Sequence, residues 1–330
     1  MPVPPVSFAP SGPPGPATPG AGRGVLIVGC GYTGQALARL LRQQGVVVTG
    51  TVSAPEHLGR VTATGARAEV LHLPQALHGA QREATLRLIA AHDAIVYAVG
   101  PERTTGERFS DHALAFADLL EAFAPAIPAF VYLSSTGVYG DRGGAWVDET
   151  TPLVEAAAGP RGAVRIAVER GLLARHAQWG LPVRILRLTG IYGPGRHVGL
   201  RLRAGNYRVI EADPPLVVNR IHVADAAQAV VAALAPGREG EVVVVSDGVP
   251  ATLREVADYA ARRMGLPPPP GENSRTARRR MGEANFHLVA DSKRCGNRKL
   301  VEEWGVRLAF PDYRSGLDQA LAADAAGAPE

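Results

Sequence analysis

From residue 25 onward the chain alternates short apolar runs with amphipathic stretches. The first run leads directly into Gly29-Cys30-Gly31-Tyr32-Thr33-Gly34. The apolar runs fall at 25–28, 46–51, 69–73, 94–99, 130–134 and 183–188. Helical patterns lie between them, such as 35–44, where Leu37, Leu40 and Leu41 share a face, and 113–124. Strands and helices in strict alternation predict βαβ units, and so an α/β fold with a Rossmann-type, doubly wound parallel sheet. Such sheets take ligands beyond the carboxyl ends of their strands.

The glycine stretch fits G-x-G-x-x-G in its informative context, after an apolar strand and at the start of an amphipathic helix. Gly29 permits a tight turn, Gly31 lets the backbone approach a pyrophosphate, and Gly34 lets helix and strand pack closely. Free N–H groups at the helix start, at Tyr32 and Thr33, would receive the anion. The cofactor-binding candidates are therefore Gly29, Gly31, Tyr32, Thr33 and Gly34. Thr51 and Ser53 at the end of the second strand join them, as does Gly100 beyond the fourth apolar run. The alternative is a glycine-rich turn with no ligand. Cys30 reads as a small packing residue. An NAD site calls for an acidic residue at the end of the second strand. Gly50-Thr51-Val52-Ser53-Ala54-Pro55 has none, the first acid being Glu56 and the nearest arginine Arg60. The cofactor is NADP or NAD, and the missing carboxylate favours NADP.

Composition bounds the rest. The chain has 330 residues and a formal charge of +4, with 46% hydrophobic and 20% charged residues, which is a globular balance. Residues 1–23 carry eight prolines and no acid, and are expected to form a disordered tail. An NAD(P)-binding domain is expected over 24–195. A smaller C-terminal, substrate-side cap is expected over 196–330, with some elements returning to the core. Within that cap, 242–246 reads as a strand, 253–264 as a helix and 275–280 (RTARRR) as a basic loop. The excess positive charge concentrates between Arg254 and Arg307, and no interleaved aromatics accompany it, so no nucleic-acid partner is expected. No apolar stretch approaches the length of a membrane span. Cys30 and Cys295 make neither a disulfide framework nor a metal spacing. A cytoplasmic protein without metal is expected.

Lysine is nearly absent. Only Lys293 and Lys299 accompany 33 arginines, so no lysine chemistry is available before residue 293.

Several ordered motifs carry a family resemblance. Tyr132-Leu133-Ser134-Ser135-Thr136-Gly137-Val138-Tyr139-Gly140 strongly resembles the extended short-chain dehydrogenase/reductase group, the NAD-dependent epimerase/dehydratase family. Arg187-Leu188-Thr189-Gly190-Ile191-Tyr192-Gly193-Pro194-Gly195 looks like that family's sixth-strand motif, and Asn219-Arg220-Ile221-His222-Val223-Ala224-Asp225 like its later segment. Ser292-Lys293-Arg294-Cys295-Gly296-Asn297 and Phe310-Pro311-Asp312-Tyr313-Arg314 resemble the C-terminal signature of an atypical subgroup. The resemblance implies that Ser135 helps hold a substrate oxygen, and that dimers are common.

It also implies a Tyr-x-x-x-Lys pair, with a Glu four residues beyond the Lys. Glu169 fits the Glu place, but Arg161 stands at the Tyr place and Arg165 at the Lys place. None of the eight tyrosines has a lysine four residues on. The family tyrosine shuttles a proton because neighbouring positive charge pulls its pKa down from about 10; an arginine stays protonated and cannot replace it.

Arg161 and Arg165 lie four apart, on one helix face. Either they present two guanidinium forks to an anionic substrate, or they are solvated, with Glu169 pairing Arg165. Ser135 either polarises a carbonyl or caps the backbone. Tyr139 and His222 read as scaffold, and Tyr192 and Pro194 as pocket wall. His197 has no assignable place, and Asp141, Asp148 and Glu149 read as a solvated loop.

Two functions follow. The first is an atypical NAD(P)-dependent oxidoreductase or epimerase/dehydratase-like enzyme, acting on a small, anionic or nucleotide-linked substrate. The second is a non-catalytic NAD(P)-binding sensor or regulator.

Overall fold

The computed structural model describes residues 22–100, 106–124, 126, 128–282, 286 and 289–327. Residues 1–21 of the expected tail therefore lie outside the described residues. Arg23 is anchored: its backbone N–H donates to Asp93 Oδ2 at 2.5 Å and its Nη1 to the Ala90 carbonyl at 2.7 Å.

Seven strands form the central sheet: β1 (Val25–Val28), β2 (Val48–Val52), β3 (Arg67–Val70), β4 (Ala94–Tyr97), β5 (Ala129–Ser135), β6 (Val183–Leu188) and β7 (Val242–Val245). Their order is β7-β6-β5-β4-β1-β2-β3, and every neighbouring pair is parallel. The chain runs outward from β1 to β3 and then returns to β4 on the other side of β1. The strand order reverses there, which is where open α/β sheets hold ligands. The glycine loop leaves β1 at this point.

Over the inner strands the runs show little polar alternation because both faces of the sheet are covered there. Val25, Ile27, Val131, Leu186, Leu188, Val243 and Val245 enter one core, shared with α1 (Tyr32–Gln43) through Leu37, Ala38 and Leu41. The alternate residues Leu26, Val28, Phe130, Tyr132, Val183 and Ile185 enter the opposite core. There they meet α2 (Gly106–Asp118) at Phe116 and α3 (Glu155–Trp179) at Val168 and Leu172. The expected helix over 113–124 therefore ends early and tightens into a 3-10 turn, Leu119–Phe123. Edge strand β3 is mostly exposed.

The C-terminal third returns to this sheet. Helix α4 (Val223–Ala233) adds Ala226, Ala229 and Val230 to the α1-side core, and β7 pairs with β6. A smaller group of elements forms the cap around α5 (Leu253–Arg263), which opens with a Thr252/Glu255 capping box, while Leu300, Trp304 and Val306 also enter the α1-side core. Residues 275–280 are not a loop but lie in helix α6 (Ser274–Met281). Asn273 caps it by accepting the Thr276 N–H at 2.9 Å, Ala277 is buried, and Arg280 pairs with Glu272. A cap residue and one small buried contact outweigh the charge run that reads as loop. Helix α7 (Tyr313–Ala325) closes the described chain. Among the described residues no helix is long and apolar enough to cross a membrane.

Candidate dinucleotide and substrate site

Backbone pairing at the switch point builds the glycine loop. The Gly29 N–H donates to Thr51 Oγ1 at 3.1 Å, and the Cys30 N–H to the Thr51 carbonyl at 2.7 Å. Thr51 thus supports the loop from β2, buried and occupied. The three glycines differ physically. Gly29 has φ +83, and a Cβ there would lie 2.7 Å from Val99 Cγ2. A Cβ on Gly34 would lie 3.1 Å from Ile27 Cγ2. A Cβ on Gly31 would meet nothing within 4 Å. The first two glycines serve the fold; the third leaves open space at the start of α1, where no side chain caps the helix. Free N–H groups and the positive helix end together favour an anion.

The Tyr32 side chain is tied to the segment after β6. Its hydroxyl donates to the Pro194 carbonyl at 2.9 Å, with the Arg196 guanidinium 5.3 Å from its ring centre, and burial pushes its phenol up to about 12. Thr33 is half-buried in the first turn of α1. Ser53 and Gly100 are exposed beyond the carboxyl ends of β2 and β4. Burial also pushes the Cys30 thiol up to about 12, which suits a packing residue.

At the end of β5 the Ser135 hydroxyl accepts the Gly137 N–H at 3.1 Å and caps the turn Thr136–Tyr139. Its proton remains available to a further acceptor. Ser134, one residue earlier and on the other face, donates to Glu169 Oε1 at 2.5 Å. Arg187 of β6 grips the same carboxylate, with Nη2 2.8 Å and Nε 3.1 Å from Oε2, and its Nη1 donates to the Tyr139 hydroxyl at 2.8 Å. That hydroxyl in turn donates to the Asp148 carbonyl at 2.8 Å. Tyr139 is therefore part of the scaffold, and the Glu169–Arg165 pairing that belongs to one of the two alternatives does not form. A buried partner across the sheet displaces the local i,i+4 neighbour.

Helix α3 breaks at Gly159 (φ +63), and Pro160 restarts it, at a position where a missing N–H costs nothing. Arg161 and Arg165 follow on one face, both half-buried. Among the described residues neither has a hydrogen-bond or ion-pair partner. Burial pulls the Arg165 pKa down, and Arg161 adds to this.

Other candidates find structural places. His222 accepts the Ala224 N–H on Nδ1 at 3.3 Å, its Nε2 meets Gln319 Oε1 at 3.1 Å, and burial holds it neutral with a pKa lowered to about 4. Buried His197 is fixed at 2.8 Å to Asp324, whose other oxygen accepts the Gly195 N–H at 2.9 Å. Tyr192 packs edge-on against His222. The 141–149 acids are stitched in: Asp141 accepts the Ser292 N–H at 3.0 Å, Asp148 takes Thr150 and Thr151, and Glu149 accepts the Val244 N–H at 2.7 Å. The Ser292–Asn297 signature explains itself here, since Lys293 Nζ donates to the Gly140 carbonyl at 2.9 Å.

Sequence reasoning assigned no role to Arg187, Arg220 or Asp247. The available signal was a charge inside, or directly after, an otherwise apolar strand.

A parallel sheet with a glycine loop after β1 at its switch point, and a serine ending β5 two strands away, matches the short-chain dehydrogenase/reductase architecture. Within it, the chain belongs to the NAD dependent epimerase/dehydratase family, whose model matches residues 25–246. It is 32% identical over 289 residues to Protein YeeZ of Escherichia coli strain K12, covering 87% of this chain and 96% of that one. It is similar in structure to a functionally unknown conserved protein from Silicibacter pomeroyi DSS, with a TM-score of 0.76, 34% identity and coverage of 91% and 98%. The dTDP-glucose 4,6-dehydratase DesIV of Streptomyces venezuelae shares the fold at a TM-score of 0.73 and 20% identity, over 90% of this chain and 95% of that one.

Proposed function

We propose that this chain binds a nicotinamide dinucleotide along Gly29–Gly34 and acts as an oxidoreductase or epimerase-like enzyme on a small anionic substrate. The observation that carries the reading is the open volume at Gly31, set against the crowding at Gly29 and Gly34, beside an uncapped helix start. The backbone N–H groups there would hold the pyrophosphate. When bound, the nicotinamide would supply the hydride chemistry. The absence of a carboxylate at Thr51–Pro55 favours NADP over NAD. Ser135 would donate its hydroxyl proton to a substrate carbonyl. Arg161 and Arg165, unpartnered and adjacent, would receive the anionic end of the substrate. Buried free cysteines Cys30 and Cys295 fit a reducing, cytoplasmic setting.

The second reading, a dinucleotide-binding sensor, is favoured by the arginines at the Tyr and Lys places, which cannot shuttle a proton. Calorimetry with NAD+ and NADP+, followed by stopped-flow absorbance of the reduced cofactor with a panel of carbonyl and sugar-linked acids, separates the two. Turnover supports the enzyme. Tight binding without turnover supports the sensor. Absence of dinucleotide binding overturns both.

A further inference from the structure

Two opposite charges stand beyond the carboxyl ends of β6 and β7 without meeting. Arg220 lies on the short strand Arg220–His222, which pairs in parallel with Gly190–Tyr192, the segment that follows β6. Asp247 lies two residues past the end of β7, and its backbone N–H donates to the Arg220 carbonyl at 2.8 Å. That backbone bond brings the two residues together, and each side chain bears on the charge of the other. Leu188 of β6 is flanked by Ser135 on one side and Val245 on the other. The pair therefore borders the same carboxyl edge as the candidate catalytic serine.

Both side chains are incompletely satisfied. Asp247 is 4% exposed; its Oδ1 accepts the Val249 N–H at 3.0 Å, while its Oδ2 is buried with no partner. The Arg220 Nε is likewise buried with no partner. Half-buried Arg220 is close enough to Tyr207, Tyr192 and Tyr313 for their phenols to bear on its charge. Natural proteins pair nearly all such buried groups, so an unpaired donor and an unpaired acceptor on two backbone-bonded residues point to a missing occupant.

The chemistry of that occupant follows from the two atoms. An anion would suit Arg220 but would face the Asp247 carboxylate, and a cation would meet the reverse conflict. A hydroxyl satisfies both at once, accepting from the guanidinium and donating to the carboxylate. The neighbouring phenols offer the mixed polar and aromatic wall that such a group favours.

We propose that Arg220 and Asp247 form a seat for a hydroxyl of the substrate, so that the ligand held at this edge of the sheet is a hydroxylated small acid. The proposal deepens the functional reading above and rests on it for the acidic end, which Arg161 and Arg165 would hold.

The test uses the full chain, titrated with and without NADP+. The probes are aldonic and uronic acids, set against unhydroxylated carboxylates of equal length and read by saturation-transfer NMR. The hydroxylated acids are expected to bind at least about tenfold more tightly, the loss expected when one buried hydrogen bond to a charged group goes unmade. Asp247→Asn keeps the shape and the Val249 acceptor, and Arg220→Gln keeps a donor; each is expected to erase the preference and leave dinucleotide affinity unchanged. Should Arg220→Gln fail to fold, Asp247→Asn alone decides. Equal affinity for the two probe sets, no binding of either, or an unaltered preference in Asp247→Asn overturns the seat and leaves a resident water as its occupant. Failure of NADP+ and NAD+ to bind overturns the functional reading instead, and the probe preference is still scored on the free protein.

Discussion

Arg187 Nη2 lies 2.8 Å from Glu169 Oε2, with both side chains almost sealed from solvent, at 6% and 2% exposed. The contact joins β6 to α3 across the end of β5, and Ser134 and Tyr139 complete it. It is the girder under the candidate site. Glu169→Gln keeps the shape but strands the guanidinium, so unfolding free energy should fall by about 3 kcal/mol. Urea denaturation measures this. Ser135 is not part of the network, so Ser135→Ala should leave stability within about 1 kcal/mol while removing the substrate-side hydroxyl.

Gly31 and Gly29 should respond oppositely to alanine. Gly31→Ala introduces a methyl where nothing lies within 4 Å. Melting temperature should hold, and dinucleotide affinity should fall by at least about tenfold as the methyl occupies the pyrophosphate approach. Gly29→Ala would put an L side chain at φ +83 and 2.7 Å from Val99 Cγ2, so it should destabilise the fold itself by about 1 kcal/mol or more. Calorimetry beside thermal melts distinguishes the two outcomes.

Arg161→Ala with Arg165→Ala should weaken anionic substrates or their analogues by at least about tenfold, with little change in NADP+ affinity. Because neither guanidinium has a partner among the described residues, the double variant should not lose stability. Relief of the mutual repulsion within the pair should instead leave it equal or slightly raised.

Two buried groups give opposite pH slopes. His222 is lowered from 6.5 to about 4 by burial, so the unfolded chain binds the extra proton between these values. Stability should fall as pH drops from 6.5 toward 4, by up to about 3 kcal/mol from this group. Asp247 is raised from 3.8 to about 7 by burial, with Val249, Arg220, Asp312 and Asp225 bearing on it in that order. Here the folded state holds the extra proton, so stability should fall as pH rises from 3.8 toward 7. Asp247→Asn should therefore stabilise at pH above 7 and hardly at all near pH 4, while His222→Gln should flatten the acid limb. Melting temperatures across this range check both.

What the sequence made legible was local or periodic. The glycine loop, the strand positions and the shared face of Arg161 and Arg165 follow from spacing alone. Glu169 shows where that logic stops: an i,i+4 rule suggests Arg165, while Arg187, eighteen residues on, arrives through sheet pairing. Arg220 and Asp247 are likewise joined only by the folded backbone. Helix α6 was hidden because four arginines mask one buried alanine and one asparagine cap.

The return of α4 and β7 to the sheet has a mechanical consequence. Asp225 of α4 accepts the Ala309 and Phe310 N–H groups at 2.7 and 2.9 Å, tying the segment before α7 to the same layer. The chain thus laces cap to sheet rather than appending one to the other. A cut near residue 195 would strip β6 of its outer neighbour and α1 of its packing partner, so neither fragment should survive alone. Whatever seats itself between sheet and cap would be felt by the whole protein as a single cooperative unit.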